Sequence, residues 1–334
     1  MNLVLVGLGY WGPNLLRTFN SLGVLKAAFD ISSNKLEKFK RDSTYSNIIF
    51  GTDWSVGLTS TIDGVIIATP PNTHYEIAIK AIKSGKHVFI EKPLTLNIDE
   101  ANSIVYEANK RNLIVFVGHI FLYSPEIIKL KEIINRDEFG DVRYVYTQRL
   151  NLGQIQSPAN VVEDLAPHDI SILNYLLDDE CNEVLTVAKN HVANTEDVAF
   201  ISMKFKTGIL AHLHLSWLDP LKVRNTVVVG SKQMVVCDSM SKKIEIYNKS
   251  VDLGELHNDG NISFARHLMT YRYGDVILPY IDNHEPLLTE AKEFLRCIET
   301  KEKPLACGEL GVNVVKVLMA MQKSLKEGQI WQKI

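Results

Sequence analysis

The run Gly7-Leu8-Gly9-Tyr10-Trp11-Gly12 constrains this chain most, because it stands where a strand-like segment ends and a helical one begins. Leu3–Val6 before it is a short aliphatic run, and Trp11–Leu22 after it has helical periodicity. In a G-x-G-x-x-G turn the first glycine allows the tight bend. The second lets the backbone approach a pyrophosphate, and the third removes a side chain where helix meets strand. The free N–H groups and the positive dipole end of the helix then face the phosphates. The alternation continues with a strand at Val24–Phe29, a helix at Ser32–Asp42, a strand at Gly64–Ala68 and a helix at His74–Lys83. A strand at His87–Ile90, a helix at Ile98–Asn112 and a strand at Leu113–Val117 complete the series. Such repeats make right-handed crossovers and a parallel sheet covered on both faces.

Asp30 lies eighteen residues beyond Gly12, at the end of the second strand. A carboxylate there accepts hydrogen bonds from the ribose hydroxyls and repels a 2′-phosphate. The residues that follow, Ile31, Ser32 and Ser33, bring no arginine. The segment therefore predicts NAD rather than NADP. The plainer alternative is an ordinary glycine turn with Asp30 opening a loop.

Beyond Gly118 the pattern changes. Helices are predicted over Pro125–Arg136 and Val162–Leu177, then strands over Glu183–His191, Val198–Lys206, Ile209–Trp217, Arg224–Val229, Met234–Cys237 and Lys243–Asn248. Close spacing without helices between them favours antiparallel pairing. Two more helices, Thr289–Thr300 and Gly308–Lys326, are predicted near the end. A chain of 334 residues exceeds one ordinary core. The expected fold class is α/β, with a dinucleotide-binding domain over 1–120. An α+β domain with a large open, mostly antiparallel sheet follows over 121–334, serving substrate binding and oligomerisation.

The net charge of −3, with no dense Lys/Arg run, speaks against a dedicated nucleic-acid or anionic-membrane surface. Cys181, Cys237, Cys297 and Cys307 are scattered and read as reduced, structural thiols. The opening residues lack the pattern of a signal peptide, and no apolar run reaches the roughly 18 residues of a membrane span. The expectation is a cytoplasmic protein. Neither HExxH nor a Cys/His pair argues for a metal, and no GxSxG argues for a serine hydrolase.

Two segments carry candidate chemistry. Glu91-Lys92-Pro93 follows a buried strand, so Lys92 lies where open α/β sheets bind ligands. There it can bond a substrate hydroxyl and ease its deprotonation, with Pro93 fixing the turn through a cis bond. An isolated Lys-Pro is otherwise an ordinary surface turn. Asp164 and His168 are four apart at the start of a helix, so they share a face once the helix includes both. A carboxylate beside an imidazole orients it and raises its basicity, which suits a general base. Pro167 is expected in the first helical turn, where proline is tolerated. The alternative is an N-capping Asp with a structural His. His212 and His214 project to one strand face, flanking a pocket or lying on an exposed sheet. Trp217, Tyr271 and Tyr273 either stack on a ring or pack.

Gly7–Gly12, the loop Ala68-Thr69-Pro70-Pro71-Asn72-Thr73-His74, Glu91-Lys92-Pro93 and Asp164-Leu165-Ala166-Pro167-His168-Asp169 together resemble the Gfo/Idh/MocA oxidoreductases. This family includes glucose–fructose oxidoreductase and inositol dehydrogenase, and the resemblance covers nearly the whole chain. Many members have a glycine where Ala166 stands; so small a change should leave the carboxylate and imidazole in place. The resemblance implies a Rossmann domain followed by an α/β domain whose open sheet forms homodimers or homotetramers. It makes Lys92 the catalytic lysine, Asp164 its supporting acid and His168 the group that exchanges a proton with the substrate hydroxyl. The Thr69–His74 loop would pass the nicotinamide. Cofactor contacts would then come from Gly7, Gly9, Tyr10, Trp11, Gly12, Asp30, Thr69, Pro70, Asn72, His74 and Glu91.

A narrower resemblance involves Gly9–Leu15, Arg149–Gly153, Ser216–Pro220, Tyr273-Gly274-Asp275 and Glu285-Pro286-Leu287. These look like a nucleotide-sugar branch, and imply oxidation at C3 of a substrate such as UDP-N-acetylglucosaminuronate. Arg149 and Asn151 join Lys92 and His168 as expected substrate contacts, the alternative for Arg149 being a paired surface arginine. NAD and the sugar are expected between the two domains. Rival readings are a keto-sugar reductase, a polyol dehydrogenase, an enzyme using NAD transiently to cleave a glycoside, and a non-catalytic NAD-binding protein.

Overall fold

The structure, a computed structural model, describes residues 1–153, 159–248 and 274–334, and the backbone of 250–253 and 269–272. In chain order the first elements are β1 (Leu3–Val6), α1 (Gly12–Ser21), β2 (Leu25–Phe29), α2 (Ser33–Lys40), β3 (Ile49–Gly51) and β4 (Gly64–Ile67). Then come α3 (His74–Lys83), β5 (His87–Glu91), α4 (Ile98–Asn109), β6 (Val115–Gly118), α5 (Pro125–Ile134), β7 (Val142–Leu152) and α6 (Val161–Leu177). The strands β8 (Cys181–Lys189), β9 (Val198–Phe205), β10 (Leu210–Ser216), β11 (Leu218–Gly230), β12 (Met234–Asp238) and β13 (Lys243–Tyr247) follow. Last are β14 (Ser250–Leu253), β15 (Met269–Arg272), β16 (Val276–Ile277), α7 (Pro286–Thr300), α8 (Gly308–Lys326) and β17 (Gln332–Lys333).

The chain divides into two compact units. One comprises Met1–Ser124 and His284–Ala320, the other Pro125–Asn283 and Met321–Ile334. The first holds a six-stranded parallel sheet in the order β3-β2-β1-β4-β5-β6. Strands β1, β4 and β6 are buried along their whole length, as continuous aliphatic runs must be when helices cover both faces. Strand order reverses between β1 and β4, the position in such sheets where ligands bind beyond the carboxyl ends. β3 was not anticipated; three residues are too few to show a period.

The C-terminal helices correct the expected division at residue 120. All of α7 and most of α8 belong to the first unit, so 121–334 is not one domain. The cause is packing. Phe294 of α7 meets Phe19, Phe89 and Phe116 edge-on, with ring centroids 6.5, 5.6 and 5.6 Å away. Gly311 lets α8 lie close to β6: a Cβ there would stand 2.8 Å from the Val117 side chain.

The second unit is built on a nine-stranded sheet in the order β16-β13-β12-β11-β7-β10-β9-β8-β17. Its pairings are antiparallel except β7 with β10, so the sheet is mixed. Neighbouring β11 extends to Leu218, with an irregular register between Leu218 and Val223 that accommodates Pro220. Among the described residues no helix is long and apolar enough to cross a membrane.

Candidate active site

In the first unit the glycine turn begins where β1 ends. Gly7 has φ +101°, and a Cβ on it would stand 2.5 Å from the Ala68 carbonyl oxygen, so the turn presses against the end of β4. A Cβ on Gly12 would meet the Gly7 oxygen at 2.2 Å. Gly9 has nothing within 4 Å of its would-be Cβ, so two glycines serve packing while the third leaves open space. Helix α1 starts with no side-chain cap. In its first turn Pro13 has no N–H and that of Asn14 donates to the Trp11 carbonyl oxygen at 2.9 Å, so the positive end of the helix and the open space at Gly9 are what it offers an anion. These observations fit the pyrophosphate of NAD.

Asp30 is buried at the end of β2. Its Oδ2 accepts from the Leu8 backbone N–H at 2.8 Å and its Oδ1 from that of Ser32 at 2.9 Å. Lys35 Nζ lies 3.7 Å from Oδ2. The carboxylate thus anchors the glycine turn from within. Tyr10, Pro70 and Asn72 are exposed; Trp11, Thr69 and Lys92 are partly exposed.

His74 departs from the cofactor contact expected of it. It is fully buried, with Nδ1 3.0 Å from the Pro93 carbonyl oxygen and Nε2 2.9 Å from that of Thr69. Burial lowers its pKa against the pull of these carbonyls. The ring staples the Thr69–His74 loop to the turn after β5 and presents no free edge to a ligand. Thr73 Oγ1 donates to Thr69 Oγ1 at 2.7 Å and closes the same loop.

Lys92 follows β5, and the Lys92–Pro93 bond is cis, as the sequence predicts. Glu91 accepts from the Trp11 indole and the Lys92 backbone N–H. Burial raises its carboxyl to about 7 despite these donors and the Lys92 ammonium. A Cβ on Gly118 would stand 2.9 Å from Glu91 Oε2, so only glycine fits beside this carboxyl at the end of β6. Glu91 is a neighbour of the lysine more than a surface for cofactor.

In the second unit α6 presents Asp164 and His168. Asn160 caps it: its side chain accepts from Glu163 N–H at 2.9 Å, and Glu163 Oε2 accepts from Asn160 N–H at 3.2 Å. Within Val161–Ile170 only Glu163, Asp164 and His168 escape full burial, so the two candidates share the accessible stripe. Pro167 is not in the first turn as expected. With α6 starting at Val161 it lies in the second, and having no N–H it removes the bond to the Glu163 carbonyl.

Trp217 is almost fully buried and donates from Nε1 to Asp164 Oδ2 at 3.3 Å. Gly153 packs on its indole, where a Cβ would stand 2.6 Å from the ring. Trp217 therefore orients Asp164 and is no stacking surface. Arg149 faces away from the role expected of it. It is buried in a bidentate fork, Nε to Asp169 Oδ2 and Nη2 to Oδ1, both at 3.0 Å. Burial and Arg149 lower the pKa of Arg224, which stands opposite it on β11. Asn151 stays partly exposed on β7. His214 stacks on Phe200 at 4.4 Å on the sheet's open face, which places it on a surface and not at a pocket. Tyr273 and the side chain of Tyr271 lie outside the described residues.

Sequence reasoning missed His119, directly after β6, and Glu290 of α7, both buried. A polar residue at the carboxyl end of a parallel strand was a signal for His119. Nothing in its neighbours singled out Glu290.

Residues 1–119 match a family model described as "Oxidoreductase family, NAD-binding Rossmann fold", and 127–236 match the "GFO/IDH/MocA C-terminal domain". A myo-inositol 2-dehydrogenase of Thermotoga maritima is 25% identical over 80% of this chain and 78% of its own length. A UDP-N-acetylglucosamine 3-dehydrogenase of Acidithiobacillus ferrooxidans is 26% identical over 75% of this chain and 77% of its own. The solved structure of that dehydrogenase, GnnA, superposes with a TM-score of 0.82 at 23% identity, covering 97% of each chain.

Proposed function

Because this chain belongs to the GFO/IDH/MocA family and is an NAD-binding, sugar-acting oxidoreductase, we propose that it oxidises the C3 hydroxyl of a nucleotide sugar such as UDP-N-acetylglucosaminuronate. Gly7, Gly9, Gly12, Asp30 and the Thr69–Asn72 segment would hold NAD, which when bound supplies the hydride acceptor. His168 removes the hydroxyl proton, and the Lys92 ammonium stabilises the oxygen as negative charge develops on it. Asp164, itself held by Trp217, orients the base. Arg149 contributes indirectly: its fork with Asp169 fixes the residue adjacent to His168 on α6. The same groups returning their protons would carry the reverse reduction.

The observation that most supports this reading is Lys92 at the carboxyl end of β5, in the same row of strand ends as the glycine turn. Incubation with NAD⁺ and UDP-N-acetylglucosaminuronate, followed by NADH absorbance and mass spectrometry of the sugar, tests it. Lys92→Met is expected to lower turnover about 10²–10⁴-fold while NAD binding persists. Turnover within a few-fold of the parent would sink the assignment. The inositol dehydrogenase relative favours a second reading, a polyol dehydrogenase. Myo-inositol and UDP-N-acetylglucosamine are therefore parallel arms of the assay.

The open face of the large sheet supports self-association. Tyr144, Tyr146, Phe200 and Leu210 are exposed on it. A second copy covering these rings would form a homodimer, or two such pairs a homotetramer.

A further inference from the structure

Inside the first unit lie three polar side chains that the mechanism does not use. Glu91 is its neighbour on β5. His119 is 1% exposed, and among the described residues neither ring nitrogen has a hydrogen-bond partner. Glu290 on α7 is 1% exposed, and among the described residues neither carboxyl oxygen has a hydrogen-bond partner. A buried carboxylate without donor or cation is too costly to stay ionised and takes up a proton instead. The groups facing Glu290 sharpen this. Glu91 acts on it from β5, and Tyr123, after β6, feels Glu290 together with Glu293 and Cys297 of α7 itself. The Lys92 ammonium acts on Glu91 and His119.

We propose that Glu290 is a neutral carboxylic acid which, with neutral His119, forms a polar lining that confines ionisation to Glu91 beside Lys92. Two carboxyls in one buried site do not both ionise, and the one beside the ammonium is the one that titrates. Burial drives both Glu290 upward and His119 downward, to about 3, in agreement with two uncharged groups. Glu290 is then a positioning residue: its dipole solvates the Glu91 carboxylate, which in turn fixes the charge environment of the lysine. The positioning role rests on the reading of Lys92 given above.

Two substrate-free measurements on the full chain test it. Infrared difference spectra of the parent against Glu290→Gln, at neutral pH in D₂O, should contain one protonated-carboxyl C=O band that the variant lacks. Absence of that band means Glu290 is ionised and overturns the proposal. The second measurement follows Glu91 through the fluorescence of Trp11, whose indole donates to its carboxylate. The parent should titrate near pH 7, with Trp11→Phe removing the transition. Glu290→Gln, a neutral polar isostere, should leave the midpoint in place. Glu290→Leu should raise it by roughly one unit, a tenfold change in proton affinity. A midpoint unmoved by leucine overturns the lining role even if the variant folds well. If leucine prevents folding, the infrared comparison with glutamine still decides. Neither result depends on turnover, so an active Lys92→Met would defeat the catalytic reading without touching these spectra.

Discussion

At the scale of single residues, one group often serves two purposes. Asp30 is the proposed ribose contact, yet its carboxylate already receives the N–H of Leu8 within the glycine turn. Asp30→Ala should therefore weaken NADH binding at least about tenfold, as expected when a hydrogen-bonded carboxylate is lost. Fluorescence titration with NADH measures this, and an unchanged Kd would remove Asp30 from the cofactor site. His119 gives a prediction in pH. Burial and the Lys92 charge depress its imidazole to about 3, below the 6.5 of an unfolded chain. A depressed folded pKa means the unfolded chain binds the proton first. The stabilisation is present above about 6.5 and is lost as pH falls toward 3. Between pH 7 and pH 5 the parent should lose about 2 kcal/mol through this group, a loss His119→Gln escapes. Urea unfolding at the two pH values, parent against variant, reads the difference directly.

At the scale of elements, α6 is decisive because it carries both Asp164 and His168. Its start is fixed by the reciprocal bonds of Asn160 and Glu163, while Pro167 in its second turn weakens the ladder between the two candidates. Asn160→Ala should cost about 1 kcal/mol in urea unfolding. Turnover should fall more than stability alone explains if the cap also sets the direction of Asp164. Equal losses in both would reduce the cap to a purely structural feature. The elements also mark what was legible. α3, α8 and β1 were anticipated to the residue because their apolar positions recur at a clean period or as a short unbroken run. β7 was overlooked because Arg143, Gln148, Arg149 and Asn151 interrupt its apolar residues. Its buried Arg149 is satisfied by Asp169 of α6, a partner far along the chain, not by hydrophobicity.

At the scale of the whole molecule, exposed rings on one sheet face call for a partner surface. Sedimentation of the purified protein should give a multiple of the 37.7 kDa chain mass, and Phe200→Glu with Tyr146→Glu should return it to a monomer. A parent that sediments as a monomer at micromolar concentration would end this proposal. The candidate site follows the same division between near and far. The glycine turn, Asp30, the Lys92-Pro93 turn and the Asp164/His168 pair are each local patterns. By itself the sequence determined these, together with the strand–helix rhythm of the first unit, because turns, caps and periodic burial depend on residues within a few positions of one another. Only the tertiary structure decided that α7 and most of α8 return to the first unit, that Arg149 is spent on Asp169, that His74 is a staple, and that Glu290 is buried. Those outcomes are set by packing and charge between distant segments, a free energy that leaves no period in the chain from which to read it.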